Sequence, residues 1–314
     1  MTATGVVSLG LHLPGTPVGN ESIAATSGAD PQWMEDRIGI RARHHAPRPQ
    51  TATDLAVGAA ENALAGEAVT PDLIVVATVT AERPVPSTAC FVQDRLGLAG
   101  VPAFDVNAAC SGFVYALSCA YGMTLAGHVR TPLVIGADTF THVVDPTDRR
   151  TAPLFGDGAG AVQLGPVPDG YGILAVDLWA EGSQAMYATV PREGWFAMDG
   201  RSVSGVVMDM GPKILQGALD RAGVRLDQLD RVIVHQANPR LVRRLADHVG
   251  LDESRAPAYG AVTGNTASAS IPVALAMADR ERPFRRGDLV ALVAVGAGMT
   301  AGAAVLRWYS EERQ

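Results

Sequence analysis

Three side chains able to do chemistry stand where the chain's patterning breaks: Cys110, His235 and Asn265. Cys110 lies in Phe104-Asp105-Val106-Asn107-Ala108-Ala109-Cys110-Ser111-Gly112-Phe113, where a strand-like run gives way to small residues and then to a helical pattern. A thiol over a helix N-terminus meets unpaired N–H groups and the positive end of the helix dipole, which favour the thiolate, and reactive cysteines so placed titrate at roughly 3.5–7.5. That is the setting of a nucleophile. His235 follows the apolar run Val232–Val234 and continues as Gln236-Ala237-Asn238-Pro239-Arg240. Asn-Pro starts a helix well, since asparagine caps exposed N–H groups and proline at the first position lacks a donor that would go unpaired. His235 therefore sits in a tight strand-to-helix connection, where sites in α/β proteins collect. Each residue also has an ordinary structural reading. A free cysteine commonly just packs, a histidine can fill space at a strand end, and Gly-Asn is first of all a turn and cap signal.

The elements that must position these residues occur twice. In the first half a buried strand at Leu73–Val79 precedes the Cys110 turn and helix, then a strand at Pro132–Ile135 and the string Gly156-Asp157-Gly158-Ala159-Gly160-Ala161-Val162-Gln163-Leu164. The second half repeats the order: a strand at Arg231–Val234, a helix opened by Gly264-Asn265-Thr266 and running to about Ala278, a strand at Leu289–Val295, and Gly298 through Leu306. Ile74 to Cys110 is 36 positions and Ile233 to Asn265 is 32, so Asn265 is expected at the position matching Cys110. The duplication predicts an α/β fold of two βαβ-type halves, 1–165 carrying the cysteine and 166–314 carrying the histidine and asparagine, with their helix starts facing one another.

Composition fits this reading and excludes others. The 314 residues, 47% apolar and 18% charged with 34 glycines and 20 prolines, supply a large core and many tight turns. The low aromatic fraction favours α/β layers over an all-β sandwich. A net charge of −7 argues against broad nucleic-acid binding. Cys90, Cys110 and Cys119 show no C-x-x-C spacing, so neither a disulfide framework nor a metal site is expected, and a reducing cytoplasmic setting is. The first fifteen residues lack the pattern of a secretory signal. Leu289 to Leu306 is free of charge, but Gly296, Gly298 and Gly302 interrupt it, so it reads as two buried strands, Leu289–Val295 and Ala303–Trp308, and not as a membrane span.

Taken together, Asp105–Leu117, Asp145–Gly160, His235–Arg240, Gly264–Pro272 and Gly296–Trp308 resemble the β-ketoacyl-acyl carrier protein synthase III enzymes of the thiolase-like condensing superfamily. Almost the whole chain is covered, and the order Cys, His-Gln-Ala-Asn, Gly-Asn-Thr is the specific part; Gly156–Gly160 is read as a structural turn and not a phosphate cradle. The resemblance implies a thiolase-like fold, two duplicated halves in a five-layered αβαβα sandwich, usually as a homodimer. It further implies a transferase in which Cys110 takes an acyl group from acyl-coenzyme A. A malonyl group on acyl carrier protein then loses carbon dioxide, and its enolate attacks the acyl-cysteine in a decarboxylative Claisen condensation. Neutral His235 and Asn265 would both donate hydrogen bonds to the enolate oxygen, and the backbone N–H groups of Cys110 and Ala297 would form the oxyanion hole.

The resemblance also assigns the handles. Trp33, Arg37 and Arg149 match coenzyme A contacts, Asn238 matches a contact to the pantetheine arm, and Gln236, Arg240, Arg243 and Arg244 are the expected carrier-protein docking residues. No cofactor beyond the coenzyme A thioesters is implied. The chain departs from its relatives where Asp247 and His248 replace two lysines, at Gly205 in place of a basic residue, and at Val85, which replaces a bulky aromatic of the acyl pocket. The smaller Val85 predicts room for branched or longer starters, in fatty-acid or polyketide initiation. The rival activity is acyl transfer to an alcohol, amine or carrier without condensation, and the presence of Asn265 favours condensation.

Overall fold

The computed structural model describes residues 2–66 and 69–310. Two mixed sheets hold the chain. The first is built from β1 (Thr2–His12), β2 (Ile74–Ala77), β3 (Ala103–Val106), β4 (Leu133–Asp138) and β5 (Gly158–Pro168), in the spatial order β1-β5-β4-β2-β3. The second is built from β6 (Gly172–Ala180), β7 (Arg231–Val234), β8 (Leu289–Gly296) and β9 (Thr300–Arg307), in the order β7-β8-β9-β6. Read from the parallel side, β2-β4-β5-β1 and β7-β8-β9-β6 have the same order and the same pattern of one parallel and two antiparallel pairings. The strand β3 extends the first sheet alone, parallel to β2. The chain passes from one sheet to the other at residues 169–171.

Strands β4 and β8 are buried along their whole length, as sheets covered by helices on both faces require. The covering helices are α1 (Ala52–Ala63), α2 (Gly112–Leu125), α3 (Gly200–Ala222), α4 (Pro239–Val249) and α5 (Ser270–Glu281). Helices α2 and α5 lie between the sheets: Phe113, Leu117, Ile271 and Leu275 share one core with Val75 and Val134 of the first sheet and Ile233 and Leu292 of the second. Helix α1 closes the outer face of the first sheet, and α3 with α4 the outer face of the second. These are the five expected layers, α-β-α-β-α.

Two expectations are corrected here. Gly156–Gly160 is not a turn: β5 begins at Gly158, and its glycines admit a close neighbour. A Cβ at Gly160 would lie 2.6 Å from the backbone of Pro272 and Val273, so only glycine lets α5 approach the strand this closely. The second correction concerns β9, which starts at Thr300, three residues before the expected Ala303, and pairs antiparallel with β8. No helix among the described residues is long and apolar enough to cross a membrane.

Candidate active site

The loop after β3 turns sharply before α2. Ala109 has φ of +47°, a left-handed conformation that side chains with a Cβ seldom adopt, and a short 3-10 turn, Ala109–Ser111, carries Cys110 directly onto α2. The second half repeats the device. Ala267 also has φ of +47°, in the 3-10 turn Ala267–Ala269 that leads into α5. Asn107 Oδ1 accepts the Ala109 N–H at 3.3 Å, and Asn265 Oδ1 accepts the Ala267 N–H at 2.9 Å. The counterpart of Cys110 is therefore Ser268, and that of Asn265 is Asn107. The expected match of Asn265 with Cys110 is corrected by three residues, because the asparagine holds the chain out of helix until Ala267.

His235 directly follows β7, and its N–H donates to Val293 O at 2.8 Å. The ring is 6% exposed, its Nδ1 has no hydrogen-bond partner, and burial lowers its pKa to about 4. With no carboxylate among the described residues found to stabilise the cation, burial keeps the imidazole neutral at pH 7. Asn265 is fixed from the opposite side: its N–H donates to Leu154 O at 2.9 Å and its carbonyl accepts the Gly156 N–H at 3.0 Å. Since Oδ1 is occupied by Ala267, the donor Nδ2 is left for the cavity.

Cys110, His235, Asn265 and Ala297 line one cavity of about 1080 Å³. Gly296 rests on the Cys110 turn, close enough that a Cβ there would lie 2.8 Å from both the Cys110 and Ser111 nitrogens. One wall is aromatic: Phe140 stacks on Phe155 at 4.3 Å, and Phe196 meets both edge-on at 5.2 and 5.1 Å. Arg37, Arg192, Arg240 and Arg244 line the cavity while remaining exposed, so its rim is cationic.

The thiol is the main electrostatic departure from expectation. Burial pushes the Cys110 pKa up to about 12, the Asp138 carboxylate adds to this, and the residue's own N–H opposes it. The loss of water prevails over that N–H, so burial favours a thiol at rest over the expected thiolate. Asp138, at the end of β4, is wholly buried, and burial likewise raises its pKa. It accepts from Thr78 Oγ1, Thr80 Oγ1, the N–H groups of Val79 and Thr80, and both the N–H and hydroxyl of Ser268.

The other expected residues divide. Arg37, Asn238, Arg240 and Arg244 line the cavity, and Asn238 also caps α4 by accepting the Leu241 N–H at 2.9 Å. Trp33, Arg149 and Val85 are exposed and do not line it in the single chain. Arg243 faces away and pairs with Glu253 at 2.7 Å. Gln236 is 2% exposed, and its side chain is spent internally on Val234 O, Pro257 O and the Gly260 N–H. It cannot meet a carrier protein, and the docking expectation for it is corrected: it braces the loop that presents His235.

Sequence reasoning missed Asp138, Ser111, Thr300 and Arg43. The paired strings Asn107-Ala108-Ala109-Cys110 and Asn265-Thr266-Ala267-Ser268 carried the signal for the second turn. Arg43 is fully buried and has no carboxylate partner among the described residues. Its Nη1 donates to Asn20 Oδ1 at 2.7 Å and its Nη2 to Pro153 O at 2.7 Å, next to the segment that holds Asn265.

A duplicated five-layered α/β sandwich that gathers a cysteine, a histidine and an asparagine in one cavity is the architecture of the thiolase-like condensing superfamily. Two family models match: "3-Oxoacyl-[acyl-carrier-protein (ACP)] synthase III" over residues 104–182 and its C-terminal counterpart over residues 219–308. The chain is 41% identical to β-ketoacyl-acyl carrier protein synthase III 3 of Streptomyces coelicolor, over 98% of each chain. The structure of the Aquifex aeolicus 3-oxoacyl-acyl carrier protein synthase III superposes with a TM-score of 0.94 at 38% identity, covering 98% of this chain and 100% of the other. That of the priming β-ketosynthase of the R1128 polyketide biosynthetic pathway superposes with a TM-score of 0.91 at 31% identity, covering 97% and 96%. The chain belongs to the β-ketoacyl-acyl carrier protein synthase III family.

Proposed function

We propose that this chain initiates fatty-acid or polyketide synthesis by condensing an acyl group from acyl-coenzyme A with malonyl-acyl carrier protein to give a β-ketoacyl thioester. The observation that carries this reading is the convergence of Cys110, His235 and Asn265 on one cavity with a cationic rim. The Cys110 thiol gives up its proton as the sulfur attacks the thioester carbonyl. The N–H groups of Cys110 and Ala297 receive the carbonyl oxygen as it becomes charged. Coenzyme A leaves as its thiol, taking the proton, and the acyl group stays on sulfur.

In the second half-reaction the malonyl thioester enters, its C–C bond to the carboxylate breaks, and carbon dioxide departs. The electron pair forms an enolate whose oxygen is met by the imidazole and by Asn265 Nδ2. The enolate carbon then attacks the acyl-cysteine, and the thiolate is expelled and takes a proton from solvent. Two neutral donors suit this step better than a carboxylate, which would repel both the substrate carboxylate and the enolate. The steps balance without a cofactor. Transfer to an alcohol or amine is the coarser alternative, and a positioned Asn265 donor supports condensation over it.

Arg37, Arg240 and Arg244 are proposed to meet the phosphates of coenzyme A and the acidic carrier protein, with Trp33 and Arg149 as outer coenzyme contacts and Asn238 on the pantetheine arm. A homodimer is supported by the edge strand β3, paired on one side among the described residues, and by the exposed Pro84-Val85-Pro86 loop. Val85, in that loop, is proposed to leave room for branched or longer starters.

The test is mass spectrometry of the protein after incubation with acyl-coenzyme A, then with malonyl carrier protein. Cys110→Ala should abolish labelling. Asn265→Ala should still be labelled yet release no carbon dioxide. Labelling that persisted at Cys90 or Cys119, or acyl transfer from the wild type without decarboxylation, would overturn the reading.

A further inference from the structure

Two hydroxyls outside the proposed chemistry connect the two turns that would supply the oxyanion hole. Ser111, next to the nucleophile, is wholly buried, and its Oγ lies 2.7 Å from Ala108 O and 2.7 Å from Thr300 Oγ1. Thr300 opens β9 in the other half, and its Oγ1 lies 3.0 Å from Ala297 O and 3.1 Å from Ala108 O. Two protons serve these contacts. Ala108 O already accepts the Ser111 N–H at 3.2 Å, whereas no backbone donor to Ala297 O is found among the described residues. The Ser111 Oγ–H can donate to Ala108 O or to Thr300 Oγ1; the placement that serves both the Oγ–Oγ approach and Ala297 O runs from Ser111 Oγ–H to Thr300 Oγ1 and from Thr300 Oγ1–H to Ala297 O.

We propose that Ser111 and Thr300 form a hydroxyl relay that holds the Ala297 turn in register with the Cys110 turn, making both of them positioning residues for acyl transfer. The inference rests on the reading of Cys110 and Ala297 as the oxyanion donors. A second contact acts in the same sense, since Gly296 packs directly on the Cys110 and Ser111 nitrogens. The glycine sets how closely the turns approach; the relay sets their rotation, because a hydrogen bond to the Ala297 carbonyl fixes the direction of the peptide planes beside it. Donors to a developing oxyanion act only if they are already in place, and an error of about 1 Å costs roughly a hundredfold in rate. Ser111 does not line the cavity, and the hydroxyl of Thr300, which borders it, is taken up by Ser111 and Ala297 O. Losing one should therefore lower kcat and leave KM alone.

The experiment measures the single-turnover rate of Cys110 acylation by acetyl-coenzyme A, with steady-state kcat and KM, for Ser111→Ala, Thr300→Val, Thr300→Ser and the Ser111→Ala/Thr300→Val pair. Each single loss should slow acylation by about 10- to 100-fold at constant KM. The double variant should be no slower than the worse single one, since the relay works as a unit. Thr300→Ser should recover to within about threefold of the wild type, a rescue that mere space filling by the threonine methyl would not give. Should Thr300→Val fail to fold, Ser111→Ala and Thr300→Ser still decide the matter. Wild-type acylation in Ser111→Ala, multiplicative losses in the double variant, or no recovery with serine overturns the relay. Absence of labelling at Cys110 in the wild type would instead sink the reading beneath it.

Discussion

Cys110 and Ser268 occupy the same place in the two halves, each one residue past an alanine held at φ of +47° and each at the start of a helix that lies between the sheets. Only one of them opens on the cavity. Ser268 is 1% exposed, and its hydroxyl approaches both Asp138 and Ala77 O, the former very closely. The duplicated turn thus opens on the cavity in one half and serves cohesion in the other.

Ser268→Ala should accordingly destabilise the protein by about 1–3 kcal/mol, because it strips a donor from a buried carboxylate. Urea denaturation followed by circular dichroism reads this as a lowered midpoint. Ser268→Cys placed in the Cys110→Ala protein should remain unlabelled by acyl-coenzyme A. A label at residue 268 would mean that the second turn reaches the cavity.

The raised thiol pKa has its own signature. With a value of about 12, the thiolate fraction of Cys110 rises tenfold per pH unit through the neutral range. Alkylation of Cys110 by iodoacetamide should follow it, climbing steadily from about pH 7 to pH 10 without levelling. A plateau near pH 7 would show that the helix end prevails over burial.

His235 links pH to stability in the opposite range. Its pKa falls from the ordinary 6.5 to about 4 on folding, so below 6.5 the unfolded chain binds a proton that the native site refuses. The contribution is complete above pH 6.5 and is lost as pH falls toward 4. His45, lowered to about 4 chiefly by burial, acts in the same direction. The denaturation midpoint should drop between pH 6.5 and pH 4.5, and His235→Gln should flatten that slope. An unchanged slope in the variant would remove His235 as its source.

Among the arginines of α4, geometry ranks the expected effects. Arg244 lines the cavity rim, whereas Arg243 is exposed and paired with exposed Glu253. Arg244→Ala should raise KM for malonyl carrier protein by about tenfold, and Arg243→Ala by less than about twofold. The reverse order would move the docking surface to the other face of the helix.

Much of this was legible beforehand, for reasons that can be named. The strands around Val76, Ile135, Ile233 and Leu292 are short apolar runs bounded by breakers, and Asn238-Pro239 starts its helix as capping chemistry requires. What failed depended on contacts distant in sequence. The three-residue offset at Asn265 came from a side chain capping its own backbone, which spacing alone does not reveal. Gln236 lay beside His235 and read as surface, yet Gly260, 24 residues on, draws it inward. The thiol's character turned on how much water the fold removes, a property of packed layers and not of a local motif.

Arg43 has a consequence for how substrates are handled. Through Asn20 it grips the amino-terminal segment that leads to Trp33 and Arg37, and through Pro153 it grips the strip of chain on which Asn265 hangs. A flat cation with two prongs can hold two anchorages at once, which a lysine's single ammonium at that depth could not. The segment leading to Trp33 and Arg37 and the wall that carries Asn265 are therefore tied to one buried side chain, and a change at Arg43 would reach both at once.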